Sequence, residues 1–270
     1  VEKFFNTIRE TIFGGKLSQW QVDGIHRLLI AWAKYGDGNI QRGAKVFATA
    51  TWETGRTMQP VKETQRGSVV PSDTTVQARL DKAWAEGKLP WVKKNYWKDG
   101  YFGRGDVQLT HETNYAGPAR VAVLKEFGVD ILTHPELALR GDISAFILVR
   151  GCLEGWFTGK KLSDYIDDLD EPDAQDHEEY MEARRVVNGR DRAREIADLA
   201  IKWERAFKLL PRPDVAMPGH PPVPTTAPAP KDAPHGRPTA PEPGLFVAVF
   251  VVLLLLYLMA GVFGFVPLPF

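Results

Sequence analysis

The sequence predicts a mainly α-helical domain over residues 1–210, a proline-rich linker over 211–244, a transmembrane helix over 245–266 and a short tail, 267–270. Three observations carry this expectation. Apolar residues recur at helical spacing through the first 210 positions, and strand-like alternation is scarce. Twelve of the 20 prolines crowd between Pro211 and Pro243, against six in the first 210 residues. No charged residue occurs from Leu245 to Val266.

Taken in order, the first fourteen residues carry Glu2, Lys3, Arg9 and Glu10 among their apolar positions. They lack the uninterrupted apolar run of a secretory signal, so export is expected to use another route. Helical periodicity then appears in Ile25, Leu28, Leu29, Ala31 and Trp32, around Val46 to Ala50, and in Ile143, Phe146, Ile147 and Val149. The last helix of the domain is expected from about Asp191, as its N-cap, through Ile196, Ala197, Ala200, Ile201 and Trp203 to Phe207. Long loops connect these elements, the longest being the Gly- and polar-rich stretch Gln65 to Thr75. No internal repeat is visible.

Beyond the domain, prolines remove donors and fix φ, so Pro211 to Pro243 reads as a semi-rigid spacer. It reaches about 100 Å if fully polyproline II. The 22 residues Leu245 to Val266 form a helix of about 33 Å, matching a hydrocarbon core of about 30 Å. The chain is expected to be a single-pass membrane protein anchored in a lipid bilayer near its C-terminus. The few charges flanking the span give the positive-inside rule almost no vote on orientation.

The 34 basic and 34 acidic residues balance, and removing the three of each sign beyond residue 210 leaves 31 of each in the domain. A neutral domain without a basic stripe gives no electrostatic reason to expect nucleic acid. Cys152 is the single cysteine, which excludes an intrachain disulfide and a cysteine zinc site; it reads as a small buried hydrophobe. No metal cluster at ligand spacing and no cofactor motif is visible, and no obligate protein partner is evident.

The segment T-W-E-T-G-R-T-M-Q-P-V-K-E-T, Thr51 to Thr64, holds the first chemical signal. Glu53 ends an apolar helical run, and Gly55 with Pro60 forces the chain out of helix before Glu63. Continued helix would separate the two carboxylates by about 15 Å in rise alone. A turn can instead fold Glu63 back towards Glu53. Two opposed carboxylates in different settings are what acid/base cleavage of a glycosidic bond requires. By themselves two glutamates ten residues apart also fit a solvated surface.

Tyr101 to Tyr115, Y-F-G-R-G-D-V-Q-L-T-H-E-T-N-Y, adds a glycine-flanked Arg104 and a series of neutral groups. Gln108, Thr110, Asn114 and Tyr115 offer donors, acceptors and an aromatic face suited to sugar hydroxyls and N-acetyl groups. A third segment, A-R-R-V-V-N-G-R-D-R-A, places Asn188 in a tight turn before the last helix; a plain Asn-Gly turn is the alternative.

In this order the three segments, with H-P-E-L-A-L at His134 to Leu139 and G-W-F-T-G-K-K-L at Gly155 to Leu162, resemble glycoside hydrolase family 19. The resemblance spans about Ile40 to Phe207 and is greatest to the short bacteriophage endolysin branch. It implies a lysozyme-like superfamily helical domain with a substrate groove. It further implies Glu53 as general acid, Glu63 as general base, and Thr110 holding the attacking water in an inverting reaction. Gln108, Asn114 and Asn188 match the family's substrate-binding amides, and Tyr101, Arg104 and Tyr115 the surrounding shell. Arg104 either contacts substrate or pairs with a carboxylate beneath the groove, and Trp156 and Phe157 belong to the core. His111 reads as a surface residue. Trp52 stands where the family usually has histidine, and plant-type disulfides and extra loops are lacking, which suggests a shorter groove.

The expected function is a membrane-anchored phage or prophage peptidoglycan hydrolase acting on periplasmic glycan strands from the inner membrane or a virion membrane. A chitinase acting on poly-N-acetylglucosamine is the second reading. A sugar-binding or structural membrane protein without turnover is the third.

Overall fold

A computed structural model of the chain describes residues 1–167, 169 and 171–210. The linker expected at 211–244, the membrane span at 245–266 and the tail lie outside the described residues. Among the described residues no helix is long and apolar enough to cross a membrane.

The protein is mainly helical. The helices are α1 (Glu2–Thr11), α2 (Gln19–Tyr35), α3 (Ile40–Glu53), α4 (Asp73–Ala85), α5 (Glu112–Ala116), α6 (Pro118–Phe127), α7 (Gly141–Glu154), α8 (Asp173–Glu182) and α9 (Ala193–Phe207). Two short strands, β1 (Val61–Lys62) and β2 (Arg104–Gly105), pair antiparallel, with Val61 opposite Gly105 and Lys62 opposite Arg104. Short 3-10 turns cover Tyr96–Asp99, Pro135–Leu139, Leu162–Asp164 and Ala183–Val186.

Local chemistry explains the helix starts. Ser18 opens α2 with a capping box, its Oγ accepting from the Gln21 amide while Gln21 Oε1 accepts from the Ser18 amide. Asn39 caps α3 by accepting from the Arg42 amide at 2.8 Å. Pro118 begins α6 where its missing N–H costs nothing.

Two sequence expectations need correction. The loop expected over Gln65 to Thr75 ends early, because Ser72 accepts from the Thr75 amide at 3.2 Å and starts α4 at Asp73. The last helix is not capped by Asp191. Arg192 occupies the N-cap at φ 56°, and the Asp191 carbonyl instead accepts from Arg184 Nε at 3.2 Å.

The core is built on α3, which is buried from Gln41 to Thr51. It packs against α9 through Phe47, whose ring lies 5.1 Å from Trp203 and 4.9 Å from Phe207. Phe4 of α1 stacks on Phe207 at 5.8 Å. Each such pair contributes about 0.5–1.5 kcal/mol beyond its buried area. Trp203 Nε1 donates to Thr51 Oγ1 at 2.9 Å, so the one polar atom of the buried indole is satisfied two residues before Glu53. A second, smaller core joins Val76 and Leu80 of α4 to Trp97 and Phe102, with Tyr96 packed against it.

Candidate functional site

Glu53 is the last residue of α3, and its side chain is 17% exposed. Nη1 of Arg184, a side chain only 4% exposed, donates to Glu53 Oε1 at 2.7 Å. Arg184 lies on the 183–186 turn, and its carbonyl accepts from the Asn188 amide at 3.0 Å. Arg184 thus joins Glu53 to this turn, and Asn188 follows on the same segment. Asn188 is exposed and accepts from the Gly189 amide with its own Oδ1 at 2.8 Å.

Beneath this group Lys45 is buried on α3, and its Nζ donates to the Tyr180 carbonyl at 2.7 Å. Burial, then the neighbouring Arg184 charge, lowers the Lys45 ammonium to about 7. Burial also pushes the Cys152 thiol up to about 12, which makes it a packing group rather than a nucleophile.

Glu63 directly follows β1, and Gly103 precedes β2. The Glu63 amide donates to the Gly103 carbonyl at 2.7 Å, while the Gly103 amide donates back to Glu63 Oε2 at 2.8 Å. The other carboxylate oxygen, Oε1, accepts from the Tyr96 hydroxyl at 2.6 Å. Burial, and then the Glu63 charge, lifts the Tyr96 hydroxyl far above the ordinary tyrosine range, so Tyr96 remains a donor. The exposed His111 ring packs against Tyr96 at 4.6 Å.

Gln108 and Thr110 crowd the same spot. A Cβ on Gly103 would come within 2.8 Å of Gln108 Oε1 and 3.2 Å of Thr110 Oγ1. Gln108, held at φ 53°, donates to the Val61 carbonyl at 2.8 Å and the Gly105 carbonyl at 3.1 Å. Thr110 Oγ1 donates to the Gln108 carbonyl at 2.6 Å and keeps its acceptor lone pairs. Asn114 Nδ2 donates to the Thr110 carbonyl at 2.7 Å.

The aromatic and arginine residues of this segment face inward. Arg104 is buried, donating to the Gly100 carbonyl at 2.7 Å and to Asp73 Oδ2 at 3.2 Å, with its guanidinium 3.8 Å from the Phe102 ring centre. Arg104 is thus paired with the Asp73 carboxylate. Tyr115 is fully buried, with its hydroxyl 3.4 Å from Arg104 Nη1. Tyr101 lies 5.3 Å from the Tyr115 ring and donates to the Leu132 carbonyl at 3.1 Å. Trp156 and Phe157 are partly buried.

The structure thus links Glu63, Gln108, Thr110, Asn114, Arg104, Tyr115 and Tyr101 through contacts around the two-stranded ribbon. Glu53 pairs with Arg184 in a second group, joined to the first by the segment Thr54–Pro60, and Asn188 follows Arg184 on its turn. Sequence reasoning missed Tyr96 and Arg184. Arg184 lay inside the motif that singled out Asn188, whereas nothing around Tyr96 marked it.

A cavity of about 510 Å³ adjoins Thr64 and is lined by Arg66, Arg79, Lys82, Lys88 and Glu86. Lys88 pairs with Glu86 at 2.6 Å, and Lys82 lies 3.9 Å from it. Among the described residues neither Arg66 nor Arg79 pairs with a carboxylate; Arg79 donates to the Thr64 carbonyl at 3.0 Å. Away from both groups, Glu171, Asp176 and Glu179 bring carboxylate oxygens within 4.8 Å of one another, an arrangement able to hold a metal ion.

Comparison with family models, curated proteins and solved structures finds no match to this chain. Chemically, the site offers one glutamate held by an arginine and a second whose two oxygens are both fixed. A hydroxyl with spare lone pairs lies beside Gly103, whose amide fixes the second.

Proposed function

We propose that the domain is a glycoside hydrolase of the family 19 type that cleaves β-1,4 bonds between N-acetylated amino sugars of peptidoglycan. A lysozyme-like helical architecture with a substrate groove belongs to this reading. The observation that carries it is the contrast between the two glutamates singled out by the motifs. Glu63 is fixed by one phenol and one backbone amide, and Glu53 is held only by a guanidinium.

Glu63 acts as the general base. Its two hydrogen bonds orient the carboxylate while leaving lone pairs for the proton of a water. Thr110, beside Gly103, steadies that water. Glu53 acts as the general acid that delivers a proton to the leaving oxygen. Inversion requires the two carboxylates to stand about 6.5–9.5 Å apart with water between them.

The basic cavity favours peptidoglycan over chitin. Chitin is uncharged, whereas wall glycan carries lactyl and peptide carboxylates that suit Arg66 and Arg79, which pair with no carboxylate among the described residues. In this reading the apolar stretch 245–266 anchors a phage or prophage lysin in the inner membrane or a virion membrane, and the linker gives it reach into the wall.

The test is release of new reducing ends from purified peptidoglycan by the chain and its Glu53→Gln and Glu63→Gln variants. Each substitution is expected to lower the rate about 10²–10⁴-fold. Binding without any new reducing ends in the parent chain, or undiminished release by both variants, overturns the assignment.

A further inference from the structure

The acidic group before and on α8 poses an electrostatic problem that the glutamate site does not explain. Asp176 is 1% exposed, yet neither of its carboxylate oxygens has a hydrogen-bond partner. Glu171 Oε2 is also buried without a partner, although its Oε1 accepts from Gln175 Nε2 at 2.5 Å. Asp176 and Glu179 stand one turn apart on α8 and so share a face, which Glu171 meets from the preceding segment. Ligand oxygens of all three lie within 4.8 Å of one another. Buried anions crowded together without donors are strongly unfavourable unless a cation or a proton joins them.

From α9, the Lys208 ammonium lies 2.8 Å from Glu204 Oε1 and offsets part of the charge felt by Asp176. Glu204 itself adds to the negative field, with its other oxygen taken by the Tyr180 hydroxyl at 2.7 Å. Arg205 is engaged with Asp173. A carboxylate oxygen of Glu171 nevertheless lies within 4.8 Å of one from Asp176.

We propose that Glu171, Asp176 and Glu179 form a calcium site. An all-oxygen set of carboxylates, with no histidine or cysteine in the group, suits a hard cation rather than zinc or copper. Calcium accepts irregular geometry and completes six to eight ligands with water and carbonyls, whereas magnesium demands near-octahedral order and holds its water. The converging carboxylate oxygens, those of Asp176 without partners, supply the ligands, and a divalent ion supplies the charge they lack.

The site would brace a structurally connected element. α8 runs directly into the 183–186 turn that holds Arg184 against Glu53, and the Tyr180 carbonyl on α8 receives Lys45. An ion fastening Glu171 to α8 stabilises the element on which both contacts depend.

The test uses the full chain, stripped with chelator at pH 7.5, in thermal unfolding and calorimetric titration with calcium and magnesium chloride. Calcium is expected to bind at one site per chain and to raise the Tm by about 5–10 °C at a hundredfold excess over its dissociation constant, with magnesium weaker. Asp176→Asn and Glu179→Gln should each abolish the shift while raising the Tm in chelator, which shows that both variants fold. Three results overturn the proposal: no calcium heat or shift, a shift that survives in both variants, or a Tm that follows protonation between pH 6 and 8 and ignores calcium.

Discussion

Tyr96 donates its hydroxyl hydrogen to Oε1 of Glu63 across 2.6 Å, and no sequence motif joins the two. The bond ties the proposed base to the small core formed by Val76, Leu80, Trp97 and Phe102, so α4 supports a carboxylate it never touches.

Tyr96→Phe keeps the ring packed at 5.1 Å from Trp97 and removes only this bond. A hydrogen bond to a charged group is worth about 1.5–3 kcal/mol, so the rate of glycan cleavage should fall about 10- to 100-fold with little change in KM. Steady-state reducing-end assays measure both. An unchanged rate would show that Gly103 alone orients Glu63.

Arg184→Ala strands Glu53 at the end of α3. Both side chains are largely buried, and breaking such a pair costs about 3–5 kcal/mol because the remaining charge loses its partner. Denaturant unfolding of Arg184→Ala, Glu53→Gln and the double variant should reveal coupling, with the double variant less destabilised than the sum of the two. Simple additivity would mean that the 2.7 Å contact contributes nothing.

Gly103→Ala pushes a methyl into Gln108 Oε1 and Thr110 Oγ1. The Gln108 amide must swing from the carbonyls of Val61 and Gly105. Activity should drop at least 10-fold while the Tm changes by only a few degrees, about the cost of one or two hydrogen bonds. Wild-type activity in this variant would separate Thr110 from the reaction.

Lys45 gives a pH signature. Its folded value, lowered to about 7 from 10.5, means that between those values the unfolded chain binds a proton that the folded chain does not. Stability therefore rises with pH from about 7. Asp176, raised to about 7, acts below this window, and the Cys152 thiol, raised to about 12 from 9.0, opposes the trend only above pH 9. Chemical denaturation from pH 7 to 9 should show stability increasing in the parent chain and a flatter profile in Lys45→Met.

Arg66→Ala combined with Arg79→Ala tests the basic cavity. Peptide-bearing strands should lose affinity, seen as a severalfold rise in KM, while strands stripped of peptide are cut as before. Equal effects on both substrates would remove the cavity's part in recognition.

Much of the helical framework was legible because its signal is local. Ile25, Leu28 and Leu29 mark α2, Ile143 to Val149 mark α7, and Gly55 with Pro60 marks the break after Glu53. α4 was hidden because its threonine-rich start resembles loop and only Val76 and Leu80 are buried. The partners of the two glutamates were hidden for another reason. Tyr96 is 33 residues from Glu63 and Arg184 is 131 from Glu53, so only the packing of α4 and of the 183–186 turn decides those contacts. The acidic group was invisible in a charge count of 34 against 34, since burial rather than composition makes it unusual.

The reciprocal bonds between Glu63 and Gly103 close a small ring of main chain and side chain. One strand end therefore carries a carboxylate aimed by its neighbour's backbone, which a substitution elsewhere in the loop does not remove. The ring fixes one oxygen of Glu63 through main chain alone, and the other depends on Tyr96.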